Sequence, residues 1–191
     1  MALQITLRNY RCFSDQDPAR FIVSPGVVAF VGTNNSGKST ILRFFYEFRH
    51  LIGQVAHDHS DFVDMLNSDQ HRSFSYPSDI GDASEVFCNI NERDTSIDFE
   101  IIHEDLAKLA PALTRLQVTI PRNTNTKTLN VWIDGASAQF PSKVKIDNNM
   151  LVNANSPQTG YSDVAFLLEE LNPLANTMYI GAFRNAVNIG C

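Results

Sequence analysis

Between positions 32 and 39 the chain reads Gly32-Thr33-Asn34-Asn35-Ser36-Gly37-Lys38-Ser39, with Thr40 next. Two glycines at this spacing, then a lysine and a hydroxyl, match the phosphate-cradling pattern G-x-x-x-x-G-K-[ST]. Each residue type has a chemical task. Glycine admits backbone turns that a Cβ would block, and it lets the main chain approach an anion closely. The loop then wraps a phosphate with N–H groups, and the unpaired donors and positive end of a following helix add to them. The Lys38 ammonium is expected to reach the β- and γ-phosphates and to be the catalytic group of the loop. The Ser39 hydroxyl is expected to ligate Mg²⁺, a cation that takes oxygen ligands and keeps several waters. The implied ligands are therefore ATP and Mg²⁺, held by residues 32–40.

Such a loop works only between a strand and a helix. Val27-Val28-Ala29-Phe30-Val31, directly before it, is a continuous apolar run of the kind found in strands buried on both faces. After Lys38 the period changes. Ile41, Phe44, Phe45, Phe48, Leu51, Ile52 and Val55 recur at helical spacing, so residues 38–55 are expected to form one amphipathic helix. By chance the glycine–lysine pattern arises in roughly one chain of this length in a hundred, and this context lowers that figure further. Upstream, Leu3–Leu7 alternates as a half-buried strand does, and Phe21–Val23 reads as another.

Downstream, residues 56–84 are polar and read as a loop or insertion. Residues 85–191 read as a β-rich subdomain with short helices. Glu85–Asn91 and Ser96–His103 suggest one hairpin, Arg115–Ile120 and Thr128–Ile133 a second, and Lys143–Ile146 a further strand. Glu104–Leu113 suggests a short helix. Ser162 is a candidate N-cap for a helix through Leu171 that Asn172-Pro173 would stop. Thr177–Ala182 reads as a strand.

Bulk properties agree with a globular chain. Of 191 residues, 43% are hydrophobic and 19% charged, with thirteen Phe to build a core. No apolar run approaches the ~20 residues of a membrane helix. The opening residues lack a signal peptide, so the cytoplasm is the expected compartment. Cys12, Cys88 and Cys191 are scattered and odd in number, which argues against a disulfide framework. The net charge of -6 is unevenly spread. Residues 1–50 carry six Lys/Arg against three acids, and the rest nine against eighteen. A basic front suits a polyphosphate, while the acidic remainder gives no electrostatic footprint for DNA.

Two segments carry a further resemblance. Leu7-Arg8-Asn9-Tyr10-Arg11-Cys12-Phe13 and Phe30-Val31-Gly32-Thr33-Asn34-Asn35-Ser36-Gly37-Lys38-Ser39-Thr40 lie about twenty residues apart. They resemble the opening strand with its N-[FY]-R-x-F turn and the G-x-N-x-x-G-K-S-T loop of the RecF/SMC branch of ABC-type ATPases, which includes the OLD-like ATPases of DNA repair and phage defence. Tyr179-Ile180-Gly181-Ala182-Phe183-Arg184-Asn185 is similar to a strand-plus-arginine element of OLD-like members. The resemblance implies an α/β P-loop NTPase: lobe I of an ABC-type domain, with a mixed sheet and an antiparallel β subdomain. It also implies that Arg11 lies near the nucleotide and that a glutamine joins metal and water to the γ-phosphate, for which Gln158 is a candidate, as is the region around Arg184. A homodimer closed by a nucleotide sandwich, a nuclease partner or domain, and DNA as substrate follow from the resemblance alone.

The sequence departs from the family pattern in two respects. It has no LSGG-like signature segment and no apolar strand ending in Asp-Glu. In Val131-Trp132-Ile133-Asp134, Gly135 stands where the catalytic Glu belongs, so a hairpin strand is expected there. Phe166-Leu167-Leu168-Glu169-Glu170 suits a helix better. The expectation is an incomplete, N-terminal part of one ATPase domain that binds ATP without turnover by itself, with hydrolysis in the complete protein. A different function class is a nucleotide-dependent interaction module that assembles a partner such as a nuclease without turnover. A third is a small-molecule kinase, against which the antiparallel middle argues. His57-Asp58-His59-Ser60-Asp61 has metal-ligand types, but Phe62 stands where a further His would be needed, and a solvated loop is expected.

Overall fold

A computed structural model describes residues 2–57, 72–75, 82–102, 113–122, 128–137, 144–147, 150–153, 161–162 and 165–176. Strands β1 (Ala2–Arg8) and β2 (Ala19–Val23) precede helix α1 (Lys38–His57). Then come β3 (Arg72–Ser75), a 3₁₀ turn (Ala83–Val86), β4 (Thr95–Ile102), β5 (Leu113–Ile120) and β6 (Thr128–Ser137). Strands β7 (Val144–Asp147), β8 (Met150–Asn153) and β9 (Tyr161–Ser162) and helix α2 (Ala165–Ala175) follow among the described residues. Six strands form one sheet in the order β2-β1-β4-β5-β6-β3, and β7-β8-β9 form a second. Strands from the first 55 residues and from the β-rich region thus share one sheet.

Alternation explains how the large sheet buries one face. In β1, Leu3, Ile5 and Leu7 point inward, opposite Ile101, Phe99 and Ile97 of β4. Those residues continue into Leu116, Val118 and Ile120 of β5. The other face carries Gln4, Arg8, Ser96, Asp98, Arg115 and Gln117. There Asp98, itself buried, accepts from Arg8, from Arg115 Nη2 at 2.7 Å and from Gln117 Nε2 at 3.2 Å, so the carboxylate is paired where it leaves water. The bond to Asp98, offset in part by burial, holds the Arg115 guanidinium above its ordinary pKa.

Helix α1 lies on the apolar face. Phe44, Phe45, Phe48, Leu51, Ile52 and Val55 are buried, as the helical period requires, and Ile41 packs at the margin of the same core. Edge-to-face ring pairs join Phe44 to Tyr10 and to Phe21, with centroids 6.1 and 6.4 Å apart. Helix α2 packs against α1 and buries Leu167, Leu168, Leu171 and Leu174.

Several expectations change. All strand pairs among the described residues are antiparallel, so the mixed sheet is not found there. The run Val27–Val31 forms no strand: Val27 is 99% and Val31 93% exposed. Its sequence suits burial on both faces, but no described strand lies beside it to accept its hydrogen bonds. The hairpin of Glu85–Asn91 with Ser96–His103 is also absent. β4 pairs instead with β1 and β5, while the Val86 carbonyl accepts from Arg11 N–H and Cys88 N–H donates to the Asn9 carbonyl. The hairpin of β5 and β6 does form, with Asp134 opposite Gln117. Val131–Asp134 is therefore a hairpin strand. Helix α2 runs past Asn172 and through Pro173, because Leu174 beyond it is still buried. The expected helix Glu104–Leu113 falls almost wholly outside the described residues, as do the metal-like group 58–61 and the expected strand 177–182.

Candidate functional site: a phosphate cradle at the start of helix α1

The loop from Gly32 to Gly37 leads directly into α1, whose first residue is Lys38. Two of its residues take left-handed backbone, Asn35 at φ 64° and Gly37 at φ 84°. Asparagine tolerates that region, and glycine enters it without strain. Gly37 is constrained by space as well. A Cβ there would fall 2.4 Å from Phe13 Cζ and 2.7 Å from Cε1. The second glycine of the motif is thus fixed by the Phe13 ring as much as by the turn.

The Ile41 N–H donates to the Gly37 carbonyl at 3.0 Å. It is the first backbone bond of the helix, which leaves the amides of Lys38, Ser39 and Thr40 available to an anion. Lys38 folds back over the loop. Its ammonium donates to the Gly32 carbonyl at 2.9 Å, to the Thr33 carbonyl and to Ser36 Oγ at 3.2 Å. These acceptors are neutral and exposed, so an entering phosphate can exchange for them with a gain in charge pairing.

A cleft of ≈ 580 Å³ opens here, lined by Cys12, Asn34, Asn35, Ser36, Gly37, Lys38, Ser39 and Thr40. Its size is within the range of small-ligand sites. Every lining residue from 34 to 40 belongs to the motif read from the sequence. Gly32 and Thr33 supply carbonyls to Lys38. The Ser39 hydroxyl is an oxygen ligand of the type Mg²⁺ takes, with waters and phosphate oxygens for the rest of the shell. Among the described residues no group of His, Cys, Asp and Glu is arranged to hold a metal. Gln158 and the Arg184 region lie outside the described residues.

Among the described residues, Cys12 is the one lining residue that the motif does not contain. Its thiol sits 3.7 Å from Thr40 Oγ1. It is brought there by a tight turn in which Tyr10 N–H donates to the Phe13 carbonyl at 3.0 Å and Phe13 N–H to the Tyr10 carbonyl at 2.9 Å. Asn9 anchors this turn. Buried and at φ 53°, it accepts at Oδ1 from Asp15 N–H and Asn91 Nδ2, each at 2.9 Å, and donates Nδ2 to the Asp94 carbonyl at 3.1 Å. Its own carbonyl takes Cys88 N–H at 3.0 Å and Thr95 Oγ1 at 2.6 Å.

Arg11 also stands in left-handed backbone, at φ 51°, and its N–H donates to the Val86 carbonyl. Its guanidinium does not line the cleft. It pairs with Glu47 of α1 and stands 3.7 Å from Glu85. Glu47, buried, also accepts from the Tyr10 hydroxyl at 2.7 Å. Burial alone would weaken the Arg11 charge, but Glu47 and then Tyr10 more than offset it, and the guanidinium is held above its ordinary pKa. The sequence reading missed Glu47. A lone glutamate at position 47 gives no motif, though a charge beside the apolar stripe of a helix is a signal that it has a buried partner.

A search of curated proteins returned no match. A family model described as an AAA ATPase domain matches residues 1–173. That span contains the cleft, helix α1, both sheets and most of helix α2, and it carries a nucleotide-binding ATPase function in general. This chain belongs to the AAA ATPase domain family.

Proposed function

We propose that this chain is the ATP-binding lobe of a RecF/SMC-type, OLD-like ATPase that works in the cytoplasm in DNA repair or phage defence. One observation carries the reading: a cleft walled by Asn34–Thr40 at the open end of α1, with Lys38 folded over exchangeable carbonyls. Residues 32–40 bind the triphosphate, and Ser39 holds Mg²⁺ against it. The DNA role rests on the likeness of Leu7–Phe13 and Phe30–Thr40 to that branch. So do a homodimer closed on nucleotide, a nuclease partner or domain, and Gln158 as a metal-linked residue.

Hydrolysis also needs a group that positions the attacking water. Among the described residues, those lining the cleft include no carboxylate. In this reading the chain by itself binds ATP with negligible turnover, which rests on the lack of a signature segment and of an apolar strand ending in Asp-Glu in the sequence. The same observation favours a second reading, a module that binds ATP to assemble a partner. Steady Mg²⁺-dependent phosphate release by the purified 191-residue chain would refute binding without turnover.

The first test is thermal stabilisation by Mg·ATP. At a hundredfold excess over Kd, binding adds about 2.7 kcal/mol to stability. Lys38→Ala should remove that gain while leaving the ligand-free melting point nearly unchanged, since the side chain is only half-buried and its bonds to described residues stay within its own loop. Equal stabilisation of this variant by ATP would remove the assignment of the site.

A further inference from the structure

The Arg11–Glu47 pair links two elements that share the wall of the cleft. Glu47 lies in the third turn of α1, the helix whose first turn forms the cradle. Its side chain is 2% exposed and Arg11's is 14%. One carboxylate oxygen takes Arg11, and the other takes the Tyr10 hydroxyl. Arg11 Nε also donates to Tyr10 Oη at 3.3 Å, closing a three-membered network. Tyr10 is wedged between Phe44 and Phe48 of the same helix, with ring centroids 6.1 and 5.9 Å away. At the other end of the turn, Phe13 presses on Gly37 and Cys12 faces Thr40.

We propose that Arg11 and Glu47 are a positioning pair for the phosphate cradle: Glu47 pins the Tyr10–Phe13 turn to α1, and the turn sets the place of Gly37 and Thr40. In this account Arg11 acts on the nucleotide through Glu47 and the turn, without touching phosphate. It rests on the reading of residues 32–40 as an ATP site.

The alternative, Arg11 as a direct phosphate ligand, makes the opposite prediction for Glu47. Removing that carboxylate would free the guanidinium and delete a negative charge near the triphosphate, and both effects would tighten ATP binding. Under the positioning account, Glu47→Gln loosens the turn and weakens binding. The substitution is isosteric, and its amide oxygen still accepts from Tyr10. ATP and ADP affinities are measured by calorimetry on the full chain, well below the melting point of every variant, so that lost stability alone does not move them. Glu47→Gln is expected to bind both nucleotides about five- to tenfold more weakly. Arg11→Gln should do the same by a similar factor for each, and the double variant should be little worse than either single one.

Unchanged or tighter ATP binding by Glu47→Gln overturns the pair's role. So does an Arg11→Gln loss at least threefold larger for ATP than for ADP, the mark of a γ-phosphate contact. The ATP-to-ADP comparison carries the test by itself if Glu47→Gln does not fold. Wild-type protein that binds neither nucleotide, or a Lys38→Ala variant that binds as well as wild type, would overturn the site itself and the pair with it.

Discussion

At the residue scale, the cradle is built from positions where the backbone leaves few choices. Asn9, Arg11, Asn35 and Gly37 all stand at positive φ. Asn9 and Asn35 are of the residue type that tolerates this best after glycine, while Arg11 is held there by its N–H bond to Val86 and its ion pair. Gly37 combines φ 84° with the Phe13 ring at its back. Gly37→Ala therefore meets two penalties, a left-handed Cβ costing about 1–2 kcal/mol and a ring that must move. The free loop of the variant should relax away from this shape, and ATP must restore it, so binding should weaken by about tenfold, since each 1.4 kcal/mol is a factor of ten. Calorimetry of the folded variant checks it. Binding within twofold of wild type would show that the Phe13 contact and the turn do not shape the cradle.

At the element scale, sequence legibility tracks how local the cause is. Helix α1 was readable because one helix face carries its aromatic stripe, and the stripe alone decides which side is buried. The β5–β6 hairpin was readable for a similar reason, from two alternating runs close in sequence. The segment Val86–Cys88 misleads because its apolar residues are buried like a strand's, yet its backbone bonds to the turn near Asn9, nearly eighty positions earlier. No local pattern encodes that partner. The cleft residues 34–40 are contiguous in the sequence, whereas Cys12 and Glu47 join the site through tertiary contacts. Val27–Val31 shows the reverse case, a strand-like composition in which Phe30 packs against the core and the valines stay exposed. The structure sorts valine and isoleucine sites sharply, and stability should follow. Val27→Ser, at a position 99% exposed, should change unfolding free energy by no more than about 0.5 kcal/mol. Ile97→Ala, at 0% exposure between β1 and β5, should cost about 2–5 kcal/mol. Urea titrations compare the two. A Val27→Ser loss above 2 kcal/mol would mean that the run is covered in solution.

At the scale of the whole molecule, one core serves both the sheet and the site. The Tyr10 ring belongs to that core, and its hydroxyl belongs to the Glu47 network. The phenol of Tyr10 thereby contributes to the pH dependence of global stability. Burial first, and then the charge of Glu47 and the bond to it, hold the Tyr10 hydroxyl well above the ordinary tyrosine pKa, with Arg11 pulling the other way. As pH climbs past about 10, Tyr10 in the unfolded chain loses its proton while the folded one keeps it. The unfolded state then binds fewer protons, so unfolding becomes easier by up to about 1.4 kcal/mol per pH unit until the folded phenol also ionises. The stabilisation is fully present below the unfolded pKa and is lost above it. Tyr10→Phe removes the titrating group together with its bond to Glu47. It should be less stable than wild type at pH 8, and the gap should narrow steadily between about pH 9 and pH 11. The other tyrosines are common to both proteins and cancel in the comparison. Urea midpoints across that range decide the matter. A gap that stays constant with pH would show that the phenol is not held in its neutral form, and the Tyr10–Glu47 bond would then not be part of what joins the turn to helix α1.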